Sequence, residues 1–196
     1  MLKSLHDLRS LRVLILHPKD RDAEELAAHI RRIGCQVETL WPPSEEIPLR
    51  AQIVFFLFRQ EFIDSAMLKM LADRASQITL IGIVEAESPF LIDALARAGT
   101  LAVVTKPIRA FGLLTSIVLA HSLTSRNKVS SERISKLEAR LTNLKRIERA
   151  KSILMARNGV TEEEAYESIR RRAMAKRVSM ENICLSIIEA NEVFGP

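Results

Sequence analysis

Apolar residues in the first half of the chain occur in short continuous runs, separated by stretches with helical periodicity. Continuous runs are typical of strands that are covered on both faces of a parallel sheet. They predict five strands, at residues 11–17, 35–41, 52–58, 78–85 and 101–105. Amphipathic stretches between them predict helices at residues 22–34, 64–75 and 89–99. This alternation predicts an α/β fold with a doubly wound five-stranded parallel sheet.

From about residue 108 the pattern changes to one unbroken helix, because no Pro or Gly lies between Gly112 and Gly159. Along this helix one set of residues recurs in steps of three and four, the spacing of a coiled-coil seam. The seam consists of Ala120, Leu123, Asn127, Ser130, Ile134, Leu137, Leu141 and Leu144. Such a stripe needs a partner, and we expect the same helix of a second chain, giving a homodimer. Packing of the helix against its own chain is the alternative.

Two shorter helices follow the long one. The long helix is expected to end at Asn158–Gly159, and Thr161 with Glu164 three residues later has the form of a capping box. The capping box predicts a helix that runs to about Lys176. Ser179 can then cap a last helix, whose apolar face carries Ile183, Ile187 and Ile188. The chain therefore is predicted to end in a compact three-helix unit.

The net charge of +5 is unevenly distributed. Residues 1–125 contain 14 Lys and Arg and 14 Asp and Glu, whereas residues 126–196 contain 15 and 10. A neutral half joined to a basic half favours a sensor or scaffold that carries a polyanion-binding part, although a solvated helical surface gives the same excess. We predict three parts: a first domain at residues 1–110, a linker helix at 111–145 and a basic domain at 146–196.

The first part resembles the receiver domain of two-component response regulators. The order of strands and helices agrees, and Thr105-Lys106-Pro107 matches the Lys-Pro pair after the fifth strand of that family. The resemblance implies a phosphoryl-acceptor site at the strand ends. Such a site needs an acidic pair to hold a divalent cation, an acceptor Asp, a Thr or Ser, and the Lys.

In this chain the acceptor site has lost its chemistry. His17 and Pro18 stand where the acidic pair is expected, Leu57 at the acceptor position and Val84 at the Thr or Ser position. Only Lys106 remains, and we expect it to be a structural or surface lysine. The resemblance therefore implies a pseudo-receiver that takes neither Mg²⁺ nor a phosphoryl group.

Other catalytic and targeting motifs are missing from the sequence. The four histidines and two cysteines lack metal-ligand spacing, and neither phosphate-binding glycine motifs nor a nucleophile elbow occurs. We expect no enzyme activity, no cofactor and no metal, with Cys35 and Cys184 as buried thiols. No apolar run approaches the ~18 residues of a membrane span. The first residues also lack a signal-peptide pattern, so we expect a cytoplasmic protein.

Residues 146–188 resemble the ANTAR domain of bacterial transcription antiterminators. The matching pieces are Ala150-Lys151, Leu154-Met155, Glu164-Ala165-Tyr166 and the Arg-rich segment that leads to Ala173-Met174. Cys184 and Leu185 depart mildly from the family. The resemblance implies binding to paired hairpins of leader mRNA, which prevents a terminator hairpin from forming. The order of parts is similar to that of antiterminators of amidase-type operons, which implies a positive regulator that a ligand-sensing, amide-receptor-like negative regulator sequesters.

An RNA surface needs cations for phosphates and flat groups for unstacked bases. Tyr166 and Arg170 are four residues apart and share a helix face. We predict an RNA surface around this pair, with less weight on its last three members: Lys151, Tyr166, Arg170, Arg177, Arg171, Lys176 and Arg149. A core position for Tyr166 is the alternative, and we expect Met155, Ile169 and Met174 in the core.

Two other functions stay open at this point. A DNA-binding activator of the response-regulator type is disfavoured, because the last helix has no Lys or Arg after Arg177. An interaction adaptor that uses only the coiled coil and the pseudo-receiver is the third possibility.

Overall fold

The computed structural model of the protein describes residues 9–43, 47–86 and 88–194. The first eight residues, on which part of the localisation expectation rests, lie outside this range. The predicted strands are confirmed, with ends that differ by at most one residue: β1 Arg12–Leu16, β2 Gln36–Leu40, β3 Ile53–Leu57, β4 Thr79–Val84 and β5 Ala102–Thr105. The predicted helices are also confirmed: α1 Arg21–Ile33, α2 Ser65–Arg74, α3 Pro89–Arg97, α4 Ala110–Asn158, α5 Glu162–Lys176 and α6 Met180–Phe194. A short 3-10 helix at Gln60–Phe62 was not predicted.

The five strands form one parallel sheet in the order β2-β1-β3-β4-β5. From β1 the chain first adds β2 on one side of the sheet, and then crosses to the other side of β1 to add β3, β4 and β5. The carboxyl ends of β1 and β3 therefore border the crevice where sheets of this kind place their functional sites. Helix α1 begins there because the side chain of Asp20 accepts a hydrogen bond from Ala23 N, and it ends at Gly34 with φ of 107°. A glycine suits this left-handed position because it has no Cβ.

Residues of β3 alternate between the two faces of the sheet, and all five are buried. Ile53, Phe55 and Leu57 pack in a cluster with α1 and the first turns of α4. Val54 and Phe56 pack on the other face with α2 and α3. The uninterrupted apolar run of β3 is therefore explained by helices on both sides of the sheet.

The chain divides into two compact units, residues 1–130 and 131–196. The division falls within α4 and inside the stretch 111–145 that the sequence assigns to a linker helix. The second unit has its own core, formed by α5, α6 and the end of α4: Ala150, Leu154, Ala165, Ile169, Ala173, Ile183 and Cys184. The predicted caps are present, since Thr161 and Glu164 form the capping box and Ser179 Oγ accepts a hydrogen bond from Asn182 N.

Two peptide bonds that precede proline, Trp41–Pro42 and Lys106–Pro107, are cis. Cys35 and Cys184 are both buried, as expected, and burial raises the pKa of each thiol. Within the described residues, no helix is both long and apolar enough to cross a bilayer.

Candidate nucleic-acid interface and the site at the strand ends

The residues at the positions of the phosphoryl-acceptor site are either apolar or make local hydrogen bonds that stabilise the fold. Leu57 is fully buried in the core, and Val84, at the end of β4, is also buried. The His17 ring is fully buried, and its Nδ1 donates a hydrogen bond of 2.9 Å to the carbonyl oxygen of Pro18. Asp20, the nearest acid to the missing pair, caps α1 instead. The acceptor position is therefore occupied by packed hydrocarbon.

A network of five charged side chains lies beside these positions, with Glu61 at its margin, 3.3 Å from Arg59 Nη1. Lys106 Nζ is 2.7 Å from both Asp22 Oδ2 and Glu85 Oε1. Arg59 binds Glu85 with two hydrogen bonds, of 2.7 Å from Nε and 2.6 Å from Nη2. The hydrogen bonds from Arg59 and then Lys106 lower the pKa of Glu85 to about 2. The cations at the strand ends are thus neutralised by carboxylates of the same chain.

Sequence reasoning singled out Lys106 in this network and missed Arg59, Glu85 and Asp22. A signal was present, because Arg59 and Glu85 follow closely on β3 and β4. Carboxyl ends of neighbouring parallel strands meet at one edge of the sheet, so side chains just beyond them lie close together.

Among the described residues of the second unit, Lys151 is the one charged residue that is buried, with 7% of its surface exposed. Its Nζ is 2.7 Å from Glu148 Oε1 and 2.6 Å from Glu162 Oε1. These hydrogen bonds, from Glu148 and then Glu162, raise the pKa of Lys151. The pair with Glu162 ties α4 to the first turn of α5. Two of the three N–H donors of Lys151 are therefore already used by carboxylates of the same unit.

An exposed stripe runs along α5. Tyr166 is 41% exposed, so it is not a core residue, and Arg170 and Met174 follow it at intervals of four. The prediction that Met155 and Met174 are core residues is wrong, because they are 38% and 62% exposed, whereas Ile169 is fully buried as expected. The helix has only one buried line, formed by alanines and Ile169, and Met174 lies beyond its edge.

The remaining basic residues of this unit differ in how they are neutralised. Arg149 pairs with Glu192 at 2.8 Å, Arg146 with Glu181, and Arg170 with Glu167 at 3.2 Å. From Arg146 onward, a second group makes no ion pair among the described residues: Arg157, Arg171, Arg172, Lys176 and Arg177. Arg171 Nε donates only to the backbone oxygen of Glu167, and Arg177 caps α5 in the left-handed conformation. The predicted RNA residues therefore do not form one uniform patch.

The predicted coiled-coil seam lies on the exposed surface of α4 in the single chain. Its apolar members are 45–60% exposed: Leu123, Ile134, Leu137, Leu141 and Leu144. Ala120, by contrast, is fully buried against the first unit, so the seam proper begins after it. Asn127 and Ser130 are exposed as well, and their side chains make no hydrogen bond to another described residue.

Comparison with known proteins extends over both units. The family described as AmiR, N-terminal, matches residues 11–121, and the ANTAR domain family matches residues 135–188. The aliphatic amidase regulator of Pseudomonas aeruginosa is 31% identical over 173 residues, which is 88% of each protein. The transcriptional regulatory protein PdtaR of Mycobacterium tuberculosis is 31% identical over 99 residues, covering 50% of this chain and 48% of PdtaR.

A solved structure of the response regulator StyR shares the fold, with a TM-score of 0.61 and 17% identity over 92% of this chain and 98% of StyR. A receiver-like sheet with a hydrocarbon acceptor position, followed by an ANTAR unit, defines a regulator of transcription antitermination rather than an enzyme. The chain belongs to the AmiR family of such regulators.

Proposed function

We propose that this protein is a positive regulator that binds hairpins of leader mRNA and prevents a terminator from forming. It acts as a homodimer through the seam on α4, and a ligand-sensing negative regulator sequesters it until inducer arrives. The likeness to an aliphatic amidase regulator supports an amidase-type operon as target and an amide-receptor-like protein as partner.

The observation that carries this proposal is the exposed stripe of Tyr166, Arg170 and Met174 within the ANTAR unit. Single-stranded loop bases bind to proteins by stacking on aromatic rings and guanidinium planes, and their phosphates by ion pairing. Tyr166 supplies a ring, Arg170 a planar cation and Met174 an adaptable apolar contact. Arg177 extends the positive charge at the end of the same helix.

Control by a partner protein rather than by phosphorylation is supported at the strand ends. Phosphoryl transfer requires clustered acids for a cation and a carboxylate acceptor. Here the acceptor position is the buried Leu57, and Asp22 and Glu85 are already paired with Lys106. A sequestering protein needs none of this chemistry, because it acts by covering surface.

The test compares binding of the purified protein to the leader RNA of its neighbouring operon and to duplex DNA of the same sequence, across a salt series. We expect tighter binding to the RNA, with an affinity that falls as salt increases because phosphate contacts release counterions. Tyr166→Ala and Arg170→Ala should each weaken RNA binding about tenfold, by loss of a stacking or charge-assisted contact. Preference for the duplex would support a DNA-binding activator instead, and binding to neither would support an adaptor.

A further inference from the structure

A cleft lies within the second unit, between the last turn of α4, the end of α5 and the middle of α6. Its volume is about 360 Å³, within the range of roughly 300–1,000 Å³ that is usual for ligand sites. Arg157, Arg172 and Lys176 stand around it, and Leu154, Ile183 and Ile187 are its apolar members. No residue that lines the cleft is acidic.

The three cations of the cleft are available for a ligand. The side chain of each is exposed, and none of the three side chains makes an ion pair or hydrogen bond with another described residue. This separates them from Arg146, Arg149 and Lys151, which are held by carboxylates. A phosphate that enters the cleft therefore displaces no internal ion pair, whereas a phosphate at Lys151 has to compete with two.

The cleft is distinct from the stripe of Tyr166, Arg170 and Met174. At ~100° per residue, Arg172 lies on one flank of the buried line through Ile169 and Ala173, and Arg170 lies on the other. Lys176 follows Arg172 by one turn on the cleft side. Helix α5 therefore carries two basic surfaces, of which only the stripe agrees with the main sequence prediction.

We infer that this cleft is a second RNA contact, which accepts one unpaired nucleotide of a hairpin loop. The inference rests on the proposed function. The cations bind the phosphate, and the base lies against Leu154, Ile183 and Ile187, which are buried or partly buried at the base of the cleft. A nucleotide combines an anion with a flat, largely apolar face, and this combination matches the lining. A base-paired duplex does not fit, since its bases are not free to enter.

Charge variants test the phosphate contact. In the full chain, Arg157→Gln and Arg172→Gln should each weaken binding to the leader RNA about tenfold. Each should also reduce the slope of log affinity against log salt by ~0.7 to 1, because one fewer counterion is released. Lys136→Gln is the matched control. It removes an exposed cation without an ion pair among the described residues, about 30 Å along α4 from Arg157, and should change neither quantity.

A filling variant tests the base contact. Ala190→Phe adds a ring at an exposed lining position without changing the charge. It should weaken RNA binding about tenfold while the salt slope stays at the wild-type value. Circular dichroism melting should show that all variants fold, since every substituted side chain is exposed.

The outcomes separate the cleft from the proposed function. If Arg157→Gln and Arg172→Gln bind like wild type while Arg170→Ala binds weakly, the cleft inference is wrong and RNA binding through the stripe stands. If wild-type protein binds no leader RNA, both fail. If polyglutamate competes as well as a single-stranded RNA of equal charge, the cleft is a general anion surface and not a nucleotide site.

Discussion

At the scale of single residues, the strand-end site shows how chemistry can be lost while a fold is kept. Replacing an acceptor carboxylate by Leu57 removes a charged group from the sheet and adds buried hydrocarbon, which stabilises the core. Lys106 is kept, but its charge now serves the ion pairs with Asp22 and Glu85. The protein therefore retains the lysine that the receiver family has after its fifth strand, but this lysine pairs with Asp22 and Glu85.

Glu85→Gln should remove the centre of this network and lower the free energy of unfolding by about 1 kcal/mol at pH 7. The pKa of Glu85 is about 2 in the fold against a usual 4.5. Its contribution is therefore complete above pH 4.5 and is lost as pH falls from there toward 2. Urea unfolding at pH 7 and pH 3.5 should show the gap between wild type and variant narrowing at the lower pH.

Glu25→Gln is the control for this experiment, because Glu25 makes an exposed ion pair with Arg21 on α1. Its effect should stay within about 0.5 kcal/mol at both pH values. A gap between wild type and Glu85→Gln that does not change with pH would show that the carboxylate is not held in its charged form by the network.

At the scale of elements, the two ends of α5 are set by capping residues, and its orientation is set by the buried side chains of Ala165, Ile169 and Ala173. Its start is the capping box of Thr161 and Glu164, and hydrogen bonds from the Thr161 backbone and then its side chain lower the pKa of Glu164. Its end is Arg177, a residue with a side chain at φ of 54°. Glycine or asparagine is usual at such a left-handed cap. An arginine there suggests that its side chain has a use outside the fold.

Arg177→Gly should separate stability from binding. A left-handed conformation costs a residue other than glycine roughly 1–2 kcal/mol. Glycine avoids this cost, but its greater conformational freedom in the unfolded chain offsets part of the gain in stability. We expect the variant to be as stable as wild type or more stable by up to about 1 kcal/mol in thermal unfolding. Its affinity for leader RNA should fall several-fold, because a phosphate contact is lost.

Arg177→Asn is the matched comparison, since asparagine tolerates the left-handed conformation and also lacks the charge. The two variants should bind RNA equally weakly. Unchanged affinity in both would mean that Arg177 is only a cap.

At the scale of the whole molecule, the proposed homodimer would use the seam on α4 to pair two ANTAR units. Two linked sites on one RNA gain effective concentration, which raises affinity by about 10²-fold or more when the geometry permits both to bind. The exposed leucines of the seam are the part of the single chain best suited to this association, because burying them in a second chain removes apolar surface from water.

Leu137→Ser combined with Leu141→Ser should convert the protein from dimer to monomer in sedimentation equilibrium. Both side chains are more than half exposed in the single chain, so each unit should stay folded. Affinity for an RNA with two hairpins should fall by about 10²-fold, while affinity for a single hairpin should not change. Val129→Ser, an exposed apolar position off the seam, should leave both mass and affinity at wild-type values. A monomeric wild-type protein would contradict the seam assignment.

Secondary structure and caps could be predicted from the sequence, whereas the burial of some individual side chains could not. The strands and helices, the capping box and the buried Leu57 follow from periodicity and neighbouring residues, and all were predicted. Met155 and Met174 were assigned wrongly, because an apolar side chain near a core stripe is buried only if a neighbouring helix reaches it. The exposure of Tyr166 was left open by the sequence for the same reason.

The sequence by itself determined the order of elements, the loss of the acceptor residues, the seam and the excess of positive charge. These properties depend on residue type and on spacings within one element. Only the tertiary structure decided which cations are already neutralised, since partners such as Arg59 and Glu85 are 26 residues apart and meet only when parallel strands align. It likewise decided that Lys151 pairs with Glu162 and that Arg157, Arg172 and Lys176 surround one cleft. Helices α4 and α5 have to pack together before those side chains become neighbours, and α6 supplies the rest of the cleft lining.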